Sequence, residues 1–224
     1  MKSKKSFFSK ALILNNLSRF WWCSLLATLL IFLIVPLRIL NIDLSYYKNS
    51  NYSMQSNYYA TIMIYFAYAV AIGTLVFRYL QTSNSVTQMH SMPFTRLGLY
   101  VNHFISGFIL LMIPLLVNLL VLFLIQGFTK FGSIILATSI WKWFLLSSMI
   151  GITLYSITVM VGTFTGSSIA QIVFTYILNF LPVGLYTLLY MVAQGLVYGL
   201  KTTDLYTTGL LKIMPITQNM ENIW

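Results

Sequence analysis

The chain predicts an all-α fold, a polytopic helical membrane protein, and three observations carry that prediction. Long apolar runs recur between short polar stretches, 58% of the 224 residues are hydrophobic, and only 7% are charged. A soluble domain carries about a quarter charged residues, whereas a helix crossing hydrocarbon needs about twenty mostly apolar ones. Acidic residues are confined to Asp43, Asp204 and Glu221. The net charge of +10 raises nucleic acid as a partner. A nucleic-acid binder gathers its basic residues on one face. Here they are scattered between apolar runs, so no nucleic acid is expected and the charge fits membrane anchoring and orientation. The single cysteine, Cys23, lies inside an apolar run and excludes an intrachain disulfide.

The elements follow in order. Residues 1–19 carry Lys2, Lys4, Lys5, Lys10 and Arg19, with Phe7, Ala11 and Leu14 on one helical stripe. Lys10 lies close beside that stripe, so the amphipathic pattern is imperfect. A signal peptide also begins with positive charge, but no small-residue cleavage site follows before Pro36. The segment reads as a cytoplasmic interfacial helix leading into a retained first span, 20–37, with Trp21 and Trp22 as interface anchors. Residues 38–59 read as an exposed loop rich in Asn, Ser and Tyr, in which Asn51-Tyr52-Ser53 fits the glycosylation pattern. The second span covers 60–80, with Arg78 placed to snorkel from its end.

Between the second and third spans lies the main polar island, Arg78 to His103. Its segment Gln81 to His90 suits a short helix started by Ser83 or Ser85. Pro93 then breaks the chain, Thr95 is placed to cap a new helix, and Arg96 falls in that helix's first turn. A hairpin between spans needs only a few residues, and this one is far longer. It reads as an element that touches a partner, although composition alone suits a solvated loop equally well.

The third span covers 95–126. Pro114 lies at its middle, where a kink is expected, and Asn118, one turn on, is expected to hydrogen-bond to a neighbouring helix. A loop with Lys130 precedes the fourth span, 141–163, which opens with Lys142 between Trp141 and Trp143, both read as interface residues. Ser147 and Gly151, then Thr158, Gly162 and Gly166, form rows of small residues that permit close helix approach. A very short turn leads to the fifth span, 169–192, which Asn179 and Pro182 are expected to interrupt. Residues 193–224 read as an extracytoplasmic tail.

Positive charge sets orientation. With the N-terminus inside, Lys2, Lys4, Lys5, Lys10, Arg19, Arg78 and Arg96 face the cytoplasm, and Arg38, Lys48, Lys130, Lys142, Lys201 and Lys212 lie outside. The totals are nearly equal, but the N-terminal cluster has no outer counterpart and the first helix usually dominates. A multi-pass protein of the cell membrane with a cytoplasmic N-terminus is expected. Five spans put the C-terminus outside, as in the N-terminal part of a longer chain.

Catalytic chemistry is hard to place on these residues. No span holds Asp or Glu, His90 and His103 lack Cys or carboxylate companions, and a lone loop histidine is usually a surface group. Neither GxxxxGK[ST] nor GxSxG occurs. Proton-coupled transport generally uses intramembrane acids, which the spans lack. No cofactor or metal is expected.

The stretch Met89-His90-Ser91-Met92-Pro93-Phe94-Thr95-Arg96, followed by an apolar helix with a central proline, resembles the second-to-third-span loop of bacterial ABC transporter permeases of the export class. The basic N-terminal helix, the long cytoplasmic loop and the short fourth-to-fifth turn are similar too. The resemblance implies a cytoplasmic coupling helix at about Ser83 to Arg96, with His90, Ser91, Met92, Pro93, Phe94, Thr95 and Arg96 docking on a separate ATP-binding subunit. It also implies a second permease subunit, identical or not, in the lipid bilayer, with ATP hydrolysed by the partner chain. Such permeases have six spans, and the sixth is missing here. A different class stays open: a non-transporting membrane protein, an immunity or sensor component that acts by helix–helix contact.

Overall fold

The computed structural model describes residues 9–42, 52, 54–81 and 95–196. The chain divides into two compact units, Met1–Ile172 and Val173–Trp224. In the first unit, α1 (Lys10–Ile34) runs almost directly into the short α2 (Pro36–Leu40). Pro36 opens α2, where a missing N–H costs little, and the Ile39 N–H donates to Val35 O at 3.1 Å. Next come α3 (Gln55–Phe77) with a 3-10 turn (Arg78–Leu80), then α4 (Arg96–Phe128). A 3-10 turn at Lys130–Ser133 leads to α5 (Ala137–Phe164), and α6 (Ser168–Leu196) carries the chain into the second unit.

Four stretches are long and apolar enough to cross a bilayer: Lys10–Leu40, Asn57–Leu80, Arg96–Phe128 and Ala137–Phe164. Large apolar side chains such as Leu29, Leu33, Leu120, Leu124 and Leu145 point outward from them. Helices apolar on all sides belong in hydrocarbon rather than water. The chain is an all-α, multi-pass membrane protein. The sequence predicts a fifth span at 169–192, and α6 is helical throughout that range.

Several boundaries differ from the sequence reading. Helix α1 is unbroken from Lys10, so over the described residues the expected interfacial helix and the first span form one rod. Helix α3 begins at Gln55 and takes in the end of the expected loop; Asn57 and Tyr58 are fully buried there. Asn51 lies outside the described residues, while Tyr52 is buried and its N–H donates to Ile134 O at 3.1 Å. Trp143 is not an interface residue: it is fully buried, and its indole N–H donates to Thr61 Oγ1 at 3.1 Å. Its neighbour Trp141, two residues earlier on the helix, is exposed. The α6 helix runs through Asn179 and Pro182 without interruption, and Asn179 Nδ2 donates to Thr175 O at 2.8 Å.

The four long helices alternate in direction. Asn16 meets Ser106 and Thr28 meets Asn118, so α1 and α4 run parallel. Tyr79 stacks on His103 while Tyr65 reaches Leu111, so α3 opposes them. Helix α5 runs parallel to α3, with Trp143 bonding to Thr61 near one end and Thr158 against Gly73 near the other. The main contacts are α1 on α4 and α3 on α5, with α4 also packed on α5.

Pro114 organises the middle of this unit. It has no N–H for the Leu110 carbonyl, and its ring loosens the next bond along. Two tyrosines from α3, one turn apart, supply donors: Tyr68 Oη donates to Leu110 O at 2.6 Å, and Tyr65 Oη donates to Leu111 O. Tyr65 reaches that far because its ring lies over Gly151 of α5, where a Cβ would clash with it. Tyr155 is seated on Gly107 in the same way and donates to Phe104 O at 3.0 Å. Asn118 Nδ2 donates to Pro114 O at 2.8 Å and to Thr28 O of α1 at 3.2 Å, the neighbouring-helix bond expected from sequence.

Candidate functional site

The site is built at the end of the first unit where α3 stops and α4 starts. Thr95 is extended and its Oγ1 accepts the Gly98 N–H at 3.1 Å, so α4 begins with the side-chain cap that the sequence predicts. Arg96 follows in the first turn and is exposed. It flanks a cavity of about 360 Å³ whose walls include Tyr79 and Leu80 from the end of α3, Leu99 and Tyr100 from α4, and Thr163 from the end of α5.

Beside it, an amide chain ties the elements together. Ser168 Oγ donates to Gln81 Oε1, and Gln81 Nε2 donates to Gln171 Oε1 at 2.6 Å. Gln171 Nε2 then donates to Thr158 O at 2.9 Å. Gly162 makes this reach possible, because a Cβ there would collide with the Gln171 amide. The last residue described before the loop is thus bonded to the first turn of α6, across the short turn Thr165 to Ser167.

A second polar cluster lies about two to three turns into α4. The Ser9 N–H donates to Asn102 Oδ1 at 3.1 Å, and Asn16 Nδ2 donates to Ser106 Oγ at 3.0 Å. The same Asn16 nitrogen pairs with His103 Nδ1 at 2.8 Å. Tyr79 stacks on the imidazole at 4.2 Å, while its Nε2 is buried with no hydrogen-bond partner among the described residues. His103 is therefore a helix residue, 2% exposed, and not a surface group of the loop. Its polar type groups it with the polar island; its spacing from Leu99 and Ser106 on one face of α4 is the signal that places it inward.

Of the sequence-predicted docking residues, Thr95 and Arg96 are described, and His90, Ser91, Met92, Pro93 and Phe94 lie outside the described residues. The short helix expected over Gln81 to His90 lies there too, apart from Gln81 itself. Sequence reasoning does not bring Gln81, Ser168 and Gln171 together. No motif links positions this far apart, although amides and hydroxyls at the ends of apolar runs are the kind of group that seeks partners.

No family model, curated protein or solved structure matches this chain. The groups gathered here are a guanidinium and hydroxyls around an open cavity, with the amide chain beside it. An exposed cation beside hydroxyls has the chemistry to hydrogen-bond an acidic or polar group.

Proposed function

We propose that the chain is a membrane-spanning permease subunit of an ABC exporter-type complex in the cell membrane, with its N-terminus in the cytoplasm. ATP is hydrolysed by a separate ATP-binding subunit, and the spans form half of a pathway completed by a second permease subunit. One observation supports this reading best: the Thr95 cap sets exposed Arg96 beside an open cavity at the end of the bundle that carries the loop. The resemblance of Met89 to Arg96 to the permease loop points the same way. The amide chain from Gln81 to Ser168 and Gln171 supplies a physical route from loop to helix.

The test is recovery of a partner ATPase with the detergent-solubilised protein, normalised to permease. Arg96→Glu reverses the charge at the proposed contact and is expected to cut recovery about tenfold or more, as loss of a desolvated charge pair does. Membrane insertion should be unchanged, because the side chain sits at the water boundary. Equal recovery with wild type, Arg96→Glu and Met92→Asp would reduce the loop to a connector. Orientation is checked separately: in a Cys23→Ser background, cysteine at Ser50 or Ser133 should react with an impermeant thiol reagent in intact cells, and cysteine at Ser85 should not.

A further inference from the structure

Between α1 and α3 lies an apolar groove of about 360 Å³, walled by Trp22, Leu26 and Leu30 on one side and Ile64, Ala71 and Leu75 on the other. On each helix these residues form a single stripe at three- and four-residue spacing. Both stripes end in an arginine. Arg19 lies one turn before Trp22 and Cys23, and Arg78 one turn after Leu75. Because α1 and α3 run in opposite directions, the two arginines lie just beyond the same end of the groove, the Arg19 guanidinium 5.3 Å from the centre of the Phe20 ring. Both are exposed, and the described residues contain no acid to pair with them.

We propose that this groove holds an anionic phospholipid, its phosphate between Arg19 and Arg78 and one acyl chain along Trp22, Leu26 and Leu30. The chemistry is complementary at both ends: paired cations at the water boundary, then a purely apolar channel toward the bilayer middle. Basic pockets between spanning helices bind anionic headgroups in this manner. A second copy of the chain fits less well. Two copies in one bilayer share an orientation, so the copy would bring its own Arg19 and Arg78 to the same end, where like charges repel. The proposal does not depend on the permease reading.

Native mass spectrometry of the protein from dodecyl maltoside micelles tests it, with phosphatidylglycerol and phosphatidylcholine of identical chains as probes. Wild type should retain phosphatidylglycerol in preference to phosphatidylcholine. Arg19→Gln with Arg78→Gln should weaken phosphatidylglycerol about thirtyfold, the product of two surface cations, and weaken phosphatidylcholine much less, because the choline cation offsets its phosphate. Ala71→Trp, which fills the groove from an exposed position, should reduce retention of both lipids and serves if the arginine pair fails to fold. Equal retention of the two lipids by wild type overturns the proposal. So does unchanged phosphatidylglycerol binding in the double variant. A lipid-free dimer that Ala71→Trp dissociates would assign the groove to a second copy instead.

Discussion

Around Pro114, two tyrosines of α3 donate to backbone carbonyls of α4, and the Tyr65 ring is held against α5. At the loop-facing end, Gln81, Ser168 and Gln171 bond side chain to side chain, beside an open cavity and a buried imidazole nitrogen without a partner among the described residues. The first arrangement has few alternatives. A tyrosine hydroxyl on a rigid ring either meets its carbonyl or strands it in a medium with no other donor. In the second, amide and hydroxyl groups on flexible stems can exchange partners at small cost. The first joint fixes its helices, and the second can rearrange without breaking the first.

The largest expected effect is at Gly151. A methyl there would occupy the space of the Tyr65 ring, which is fully enclosed and cannot swing away as a flexible tip would. Gly151→Ala should therefore displace the ring, add overpacking strain and break the bond to Leu111 O. Together these cost about 3 kcal/mol, read as a lower unfolding midpoint in detergent. Gly127→Ala, where nothing lies within 4 Å of the added carbon, should change the midpoint little. Similar midpoints for both variants would mean that the tyrosine seat does not hold the middle together.

Much of the fold was legible because the bilayer permits so few solutions. Four long apolar runs could only be helices, and Thr95 caps its helix as its type and position predict. The small residues of α5 are also legible as contact points, though not in what they contact: Gly151 seats a ring and Gly162 an amide rather than a bare helix backbone, while at Gly166, in the turn after α5, an added Cβ would meet nothing within 4 Å. The tyrosine donors are hidden in the sequence because a tyrosine in a span is apolar by composition and polar only at its tip. Trp143 and His103 are misplaced for a related reason, since residue type is a poor guide where helical phase decides. Trp141 and Trp143 stand about 200° apart around α5, so one faces out when the other faces in.

A smaller effect sharpens the account of the proline. If Tyr68 stabilises the chain by serving the carbonyl that Pro114 leaves without a donor, the two residues are coupled. Tyr68→Phe alone should cost about 1 kcal/mol, within the range of interhelical bonds in membranes. In a Pro114→Ala background the backbone N–H restored at that position serves Leu110 O itself, and the same change should cost close to nothing. The double-mutant cycle reads the difference directly. An equal cost in both backgrounds would mean that the Tyr68 hydroxyl contributes independently of the proline.

The smallest expected effect lies at the loop-facing end, and its size matters as much as its sign. Gln81→Met keeps the length of the side chain and removes both amide bonds, leaving Gln171 Oε1 and Ser168 Oγ to find other partners. Gln171 keeps its own bond to Thr158 O, so the burial of its amide is only partly uncompensated. Side-chain bonds between membrane helices average about 0.6 kcal/mol, and a fall of that order in unfolding free energy is expected. On the proposed permease reading the consequence for docking should be larger than the consequence for stability: Gln81 is bonded to α6 at the start of the loop, and its release should lower ATPase recovery by more than the roughly threefold that 0.6 kcal/mol represents. A stability loss near that of Gly151→Ala would show that this end is as rigid as the middle, and the contrast between the two joints would be lost.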